Sequence, residues 1–283
     1  MPTQKSSPLV VKVYRPFQAG LPNLRDYFSD MWNRREFAFE LSRSELRAQH
    51  ASSTLGQLWL VLNPLLLAGI YYTLIVIVSG GSKKGPDFLA HLLAGIFVYH
   101  FVSGSMISGS QSVVGLGRLI TNRAFPRLLL PLSTVLVAFR RFIPTLVVYA
   151  IFHVSAGLPI GVNQLLAIPG FLLIFIFSFG LAMLFATIQV YFRDTKSFLP
   201  YIARIWMYIS PVLYFPEDIP NSLNFIKPFN PLFGMLGIWS DTLARNEIPP
   251  ASYWISAVAW TALAFLGGIY FFLSREREFS VRI

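Results

Sequence analysis

The side chains able to do chemistry in this sequence are few, and their placement argues against catalysis. There are 13 aspartates and glutamates, four histidines and no cysteine. The lack of cysteine excludes disulfides, thiolate metal sites and thiol nucleophiles. His50, His91, His100 and His153 include no pair at metal-ligand spacing. His91 and His100 fall on roughly opposite faces of one apolar stretch, as polar residues near an interface or beside a lined path would. No glycine-rich phosphate loop ends in Gly-Lys-Ser/Thr; residues 80–85, GGSKKG, have the wrong order. Asp26, Asp30, Glu36, Glu40, Glu45, Asp87, Asp194, Glu217, Asp218, Asp241, Glu247, Glu276 and Glu278 are all expected in loops, interfaces or tails. Ion-coupled carriers ordinarily need a buried titratable or anionic site, although backbone carbonyls alone can hold sodium. Energy for any work is therefore expected to come from another chain.

Three cations fall inside apolar stretches: Arg140, Arg141 and Arg204. A charge at that depth is costly unless paired or hydrated, and the stretches offer no carboxylate. Such residues can snorkel, or the stretch holding Arg140 begins later than drawn. Alternatively, Arg141 and Arg204 face a hydrated path and meet an anion such as a phosphate. Arg140 cannot share the helix face of Arg141, its direct neighbour.

The elements that must position these groups are hydrophobic. Hydrophobic residues make up 54% of the chain and charged ones 13%, with a formal net charge of +10. Long apolar runs recur along nearly the whole length, so lipid is the expected solvent. Six runs are long enough to span, at residues 58–79, 88–113, 128–156, 164–192, 198–215 and 252–273. Residues 1–20 have no continuous apolar core, so no cleavable signal peptide is expected. Lysines and arginines crowd the segment before the first run, the loops after the second and fourth, and the tail. The other loops carry only Lys83, Lys84, Lys227 and Arg245. By the positive-inside rule both termini are cytoplasmic, and the basic residues need no nucleic acid to explain them.

Before the first run, Asn23 can cap a helix on which Leu24, Tyr27, Phe28 and Met31 form one face. That pattern suits an amphipathic helix in the cytoplasmic interface, over about Asn23 to Arg35. Between the fifth and sixth runs, residues 216–251 are broken by six prolines. Their apolar stretch 231–244 is too short to cross, so one or two short re-entrant or interfacial helices are expected on the outer side. Trp239 and Trp254 suit an interfacial aromatic belt. Pro64, Pro144, Pro169 and Pro211 predict kinks. Ser105 with Gly109, and Ala182 with Ala186, predict close helix contacts. The fold class is therefore all-α and polytopic, with six transmembrane helices. It divides into an N-terminal segment (1–57), a membrane domain (58–273) and a tail (274–283).

Four stretches carry a family resemblance. They are LRAQHASSTLGQLWLVLNP from Leu46 to Pro64, GRLITNRAFPRLLLP from Gly117 to Pro131, Arg193-Asp194 with Ser210-Pro211-Val212-Leu213-Tyr214, and Asn230-Pro231. In this order they resemble the transmembrane subunits of ABC-2-type polysaccharide exporters, the O-antigen, capsule and teichoic-acid class. The resemblance implies a homodimer in the bacterial cytoplasmic membrane, bound to two ATP-binding-cassette ATPase subunits. ATP and Mg would sit on those partners, with no cofactor on this chain. The cargo would be a glycan on a polyprenyl diphosphate; a mycobacterial-type galactan is the narrower expectation. ATPase contacts fall on Gly117, Arg118, Thr121, Asn122, Arg123 and Arg127 of one loop and Arg193, Asp194 and Lys196 of another. Arg34, Arg35, Arg43 and Arg47 could receive a diphosphate at the entrance, and Arg141 and Arg204 could line the path. A secondary carrier or flippase, and a membrane-embedded transferase, are the alternatives. The transferase would need an acidic metal or base site, for which only Glu36, Glu40, Glu45 and Asp194 are available.

Overall fold

The computed structural model describes residues 23–50, 55–78, 85–122, 124–220, 222 and 224–283. Expectations for residues 1–20, for 80–84 and for Arg123 fall outside this set, as does the side chain of Thr121. The described residues form helices and turns and no strand.

Helix α1 (Leu24–Asn33) begins at Asn23, whose side chain accepts the Arg25 N–H at 3.2 Å. Its apolar face divides: Tyr27 and Met31 pack on the bundle, while Leu24, Phe28 and Trp32 remain exposed. A second helix, α2 (Arg35–His50), follows at once, where the sequence reading ended the helical segment near Arg35. Ala38 and Ser42, one turn apart and fully buried, let α2 lie close against α6 (Leu129–Ser155).

The remaining helices are α3 (Trp59–Val78), α4 (Pro86–Gln111), α5 (Gly117–Asn122), α7 (Ala167–Tyr191), α8 (Thr195–Ile209), α9 (Ile226–Phe229), α10 (Pro231–Ala244), α11 (Ala251–Arg275) and α12 (Phe279–Arg282). Five of the helices, α3, α4, α6, α7 and α11, are long and apolar enough to cross a membrane. Helix α4 is the axis of the bundle and is largely buried, whereas α3 rests on the outside with only Pro64 and Ala68 buried. Small residues set the closest approaches: a Cβ on Gly109 would lie 2.7 Å from the Ala182 Cα. The two small-residue patterns expected from sequence thus meet each other across α4 and α7.

The fifth expected span is not one helix. Helix α8 is 15 residues long and ends at Ser210, whose backbone is extended (φ −88°, ψ 151°). The residue before a proline is driven out of the helical region, so Pro211 terminates this helix rather than kinking it. Residues 211–215 then continue alongside α4: Val212 packs on Gly95, and Tyr214 reaches His91. Pro169 also causes no mid-helix break, since it lies in the first turn of α7. Pro64 and Pro144 do sit inside α3 and α6.

Helix α10 is not a surface helix either. Most of its residues are buried against α4, α7 and α11. Trp239, expected in an interfacial belt, is 4% exposed and donates its indole N–H to the Ala94 carbonyl at 3.1 Å.

Candidate functional site at the basic end

One end of the bundle carries α1, α5, the turn before α8 and the chain's last residues, and most of the basic side chains outside the helices. Its organising element is the tail that follows α11, a short 3-10 turn (Glu276–Glu278) and then α12. The Glu276 carboxylate is buried and accepts the Arg127 backbone N–H at 2.8 Å. The Arg127 guanidinium returns a bond to the Glu276 carbonyl. Burial pulls the Arg127 pKa down, and the facing Glu276 and Tyr27 oppose that shift. Tyr27 of α1 completes the group: its hydroxyl accepts the Leu128 N–H at 3.2 Å and lies near enough to the Glu276 carboxylate to feel its charge. Burial raises the Tyr27 pKa, and the Glu276 charge adds to the effect.

The tail also holds the turn before α8. Glu278 accepts the Tyr191 hydroxyl at 2.7 Å and pairs with Arg275 and Arg282, each at 3.1 Å. The Arg282 guanidinium lies 4.4 Å over the Tyr191 ring, and Arg193 donates to the Arg282 carbonyl at 2.8 Å. At the first loop, a side chain on Gly117 would run into Ile283. The tail therefore locks the loop of residues 117–127 to the turn of residues 193–196, and α1 closes the group from the other side. Chemically this is a cross-braced polar platform; among the described residues it presents no nucleophile–base pair.

A family model described as ABC-2 type transporter matches residues 38–239. The chain belongs to that family. The O-antigen export system permease protein RfbA of Klebsiella pneumoniae is 30% identical over 209 residues, covering 74% of this chain and 80% of the relative. RfbA of Myxococcus xanthus is 24% identical over 256 residues, covering 90% of this chain and 98% of the relative. This ABC-2 chain is thus a multi-pass membrane permease. Residues 276–283, the tail half of the platform, lie beyond the region matched by the family model.

In this ABC-2 transporter the sequence-predicted residues separate into groups. Gly117, Arg127 and Arg193 are built into the platform. Arg118, Asn122, Asp194 and Lys196 are exposed beside it. Arg34, Arg35, Arg43 and Arg47 are all exposed on α1 and α2, but not all are free. Arg34 pairs with Asp30 at 3.0 Å and donates to the Ala124 carbonyl at 3.2 Å, bracing the first loop. Arg35 lies 4.8 Å over the Trp32 ring, and Arg43 is 3.9 Å from Glu40.

Arg141 and Arg204 occupy different places. Arg141 lines a groove among α3, α4 and α6, and Arg204 is exposed on α8. An acidic group does face Arg141, and it comes from α2 rather than from a span: Glu45, whose pKa burial raises and the Arg141 charge lowers. Asp241, expected in the outer segment between the fifth and sixth runs, is covered by its neighbours. It is 6% exposed inside α10, and one of its oxygens has no hydrogen-bond partner. The signal was present in the apolar stretch 231–244, where an aspartate among tryptophan, leucine and isoleucine implies burial.

Proposed function

We propose that this permease is the channel-forming subunit of an ATP-driven exporter in the bacterial cytoplasmic membrane. It works as a homodimer with two ATP-binding-cassette ATPase subunits, which hydrolyse ATP with Mg while this chain binds no cofactor. Its cargo is a polysaccharide carried on a polyprenyl diphosphate, with galactan the narrower assignment. The relatives named as O-antigen export permeases support a glycan cargo.

One observation carries the ATPase assignment: two separate loops and the tail are cross-braced into a single rigid surface at the basic end. A nucleotide-driven partner must push on something that does not yield, and loops held independently would absorb the movement. Both termini belong on the cytoplasmic side by charge, and the platform then faces the ATPase. Helix α8 with residues 210–215 provides the sixth crossing. Residues 224–229 re-enter far enough for the Pro228 carbonyl to accept the Trp260 indole N–H, and α10 returns outward. Arg204 on α8 faces the path, and the exposed arginines of α1 and α2 receive the diphosphate at the entrance.

The test is co-purification and coupling. The chain should elute with a stoichiometric ATPase subunit. Removing the charge of Arg123 or of Asp194 should leave ATP hydrolysis running while export falls. Full export by both variants overturns the loop assignment. The buried Asp241 favours a second reading, an ion-driven carrier. Transport by the isolated chain under an ion gradient, abolished in Asp241→Asn, would establish it.

A further inference from the structure

The groove that holds Arg141 has about 750 Å³ of space and runs between α3, α4 and α6. Along α3 it extends from Trp59 to Ile70, about 16 Å at the helical rise. Its walls are mainly apolar, with Leu66, Ile70 and Phe97 toward one end. Its polar groups include Asn63, His100 and Arg141, of which only Arg141 is a permanent cation. The Arg141 Nε is buried without a hydrogen-bond partner. Glu45 on α2 offsets part of the Arg141 charge, yet that donor stays unused. A guanidinium offers five donors in a planar fork suited to phosphate. The groove is walled on one side by α3, a helix with only Pro64 and Ala68 buried.

We propose that this groove is a binding site for an anionic phospholipid of the leaflet at the basic end, with its phosphate at Arg141 and one acyl chain along Leu66, Ile70 and Phe97. A cation beside an apolar slot matches an amphiphile with a charged head, and basic pockets between membrane helices bind anionic headgroups. Charge-assisted bonds from a guanidinium to phosphate suit Arg141, the one permanent cation lining the groove. The proposal needs only that the bundle spans a bilayer, and is independent of the cargo proposed above.

The full-length chain, purified in detergent, can be titrated with phosphatidylglycerol and with phosphatidylcholine and followed by native mass spectrometry. Phosphatidylglycerol should bind at least about tenfold more tightly, because both lipids carry the phosphate but only phosphatidylcholine brings a quaternary ammonium that opposes the Arg141 charge. Arg141→Gln should reduce it to the phosphatidylcholine level. Gly104→Leu should block both lipids, because a Cβ there meets nothing within 4 Å and a larger side chain enters the groove. Arg140→Gln should change neither. If Arg141→Gln does not fold, Gly104→Leu decides the question. Equal binding of the two lipids, or undiminished phosphatidylglycerol binding by Gly104→Leu or folded Arg141→Gln, overturns the proposal. So does displacement of phosphatidylglycerol by a lower concentration of polyprenyl phosphate, which would make the groove a cargo site.

Discussion

The Asn230 side-chain oxygen accepts the Trp206 indole N–H at 3.0 Å, joining the start of α10 to the end of α8. The same oxygen accepts the Leu232 N–H at 3.1 Å, and the amide nitrogen donates to the Ile209 carbonyl at 3.3 Å and the Ser210 hydroxyl at 3.1 Å. Asn230 is 4% exposed. One residue therefore caps a helix that begins and satisfies a helix that a proline has ended.

Asn230→Ala should cost about 2 kcal/mol or more, from the lost cap and the buried groups left unpaired. Asn230→Asp keeps the cap but loses both donated bonds and buries a charge, so it should fare no better. Thermal unfolding in detergent measures both. An unchanged midpoint for the alanine variant would falsify the assignment of this contact as structural.

Tyr27→Phe removes the hydroxyl that accepts the Leu128 N–H beside Glu276. The expected loss is about 1–2 kcal/mol. Glu276→Ala is more severe, because it strips the acceptor from the Arg127 N–H and leaves the Arg127 guanidinium without its facing carboxylate. Limited proteolysis of the tail should become faster in both, and more so in Glu276→Ala.

Gly180→Leu should separate α7 from α11. A Cβ there would stand 2.5 Å from the Ala264 backbone, which cannot move aside as a flexible side chain can. The loss should be at least about 3 kcal/mol, as for overpacking in a tight core. Gly267→Leu, on the same α11 but with nothing within 4 Å, is the matched control and should be nearly silent in the same unfolding assay.

Asp241 predicts a pH dependence. Burial pushes its carboxyl up to about 6 from an ordinary 3.8, with Arg245 opposing and Glu217 and Glu247 adding to the rise. The folded state then favours the protonated form. Its contribution is complete below the ordinary value, falls as pH rises, and is gone above about 6. Asp241→Asn should therefore be more stable than the parent at about pH 8, by at most about 3 kcal/mol and less where water reaches the carboxylate. The advantage should shrink by about pH 5. A constant difference between the two pH values would count against this account.

Much of the platform was legible in outline. Gly117, Arg127, Arg193 and their loops stood out because charge in a mostly apolar chain is confined to short connections. The tail was not legible as their brace. Glu276 and Glu278 are separated from Arg127 and Tyr191 by 149 and 87 residues, and no periodicity reports a contact across that distance. Helix α2 was missed because its buried face is made of Ala38 and Ser42, which carry little hydrophobic signal yet permit close packing.

Sequence alone determined the solvent of this protein, the existence of its five long spans, the cap at Asn23 and the small-residue seam later found between α4 and α7. These follow from local composition and spacing, which lipid and the helical repeat read directly. Tertiary structure alone supplied partners for the helix end at Pro211, where Asn230, 20 residues beyond Ser210, bonds the Ile209 carbonyl and the Ser210 hydroxyl. It alone placed Trp239 in the core and Asp241 under cover, and gave Arg141 a carboxylate from outside the spans. Burial and pairing are properties of neighbours in space, and for these residues the neighbours lie on other helices.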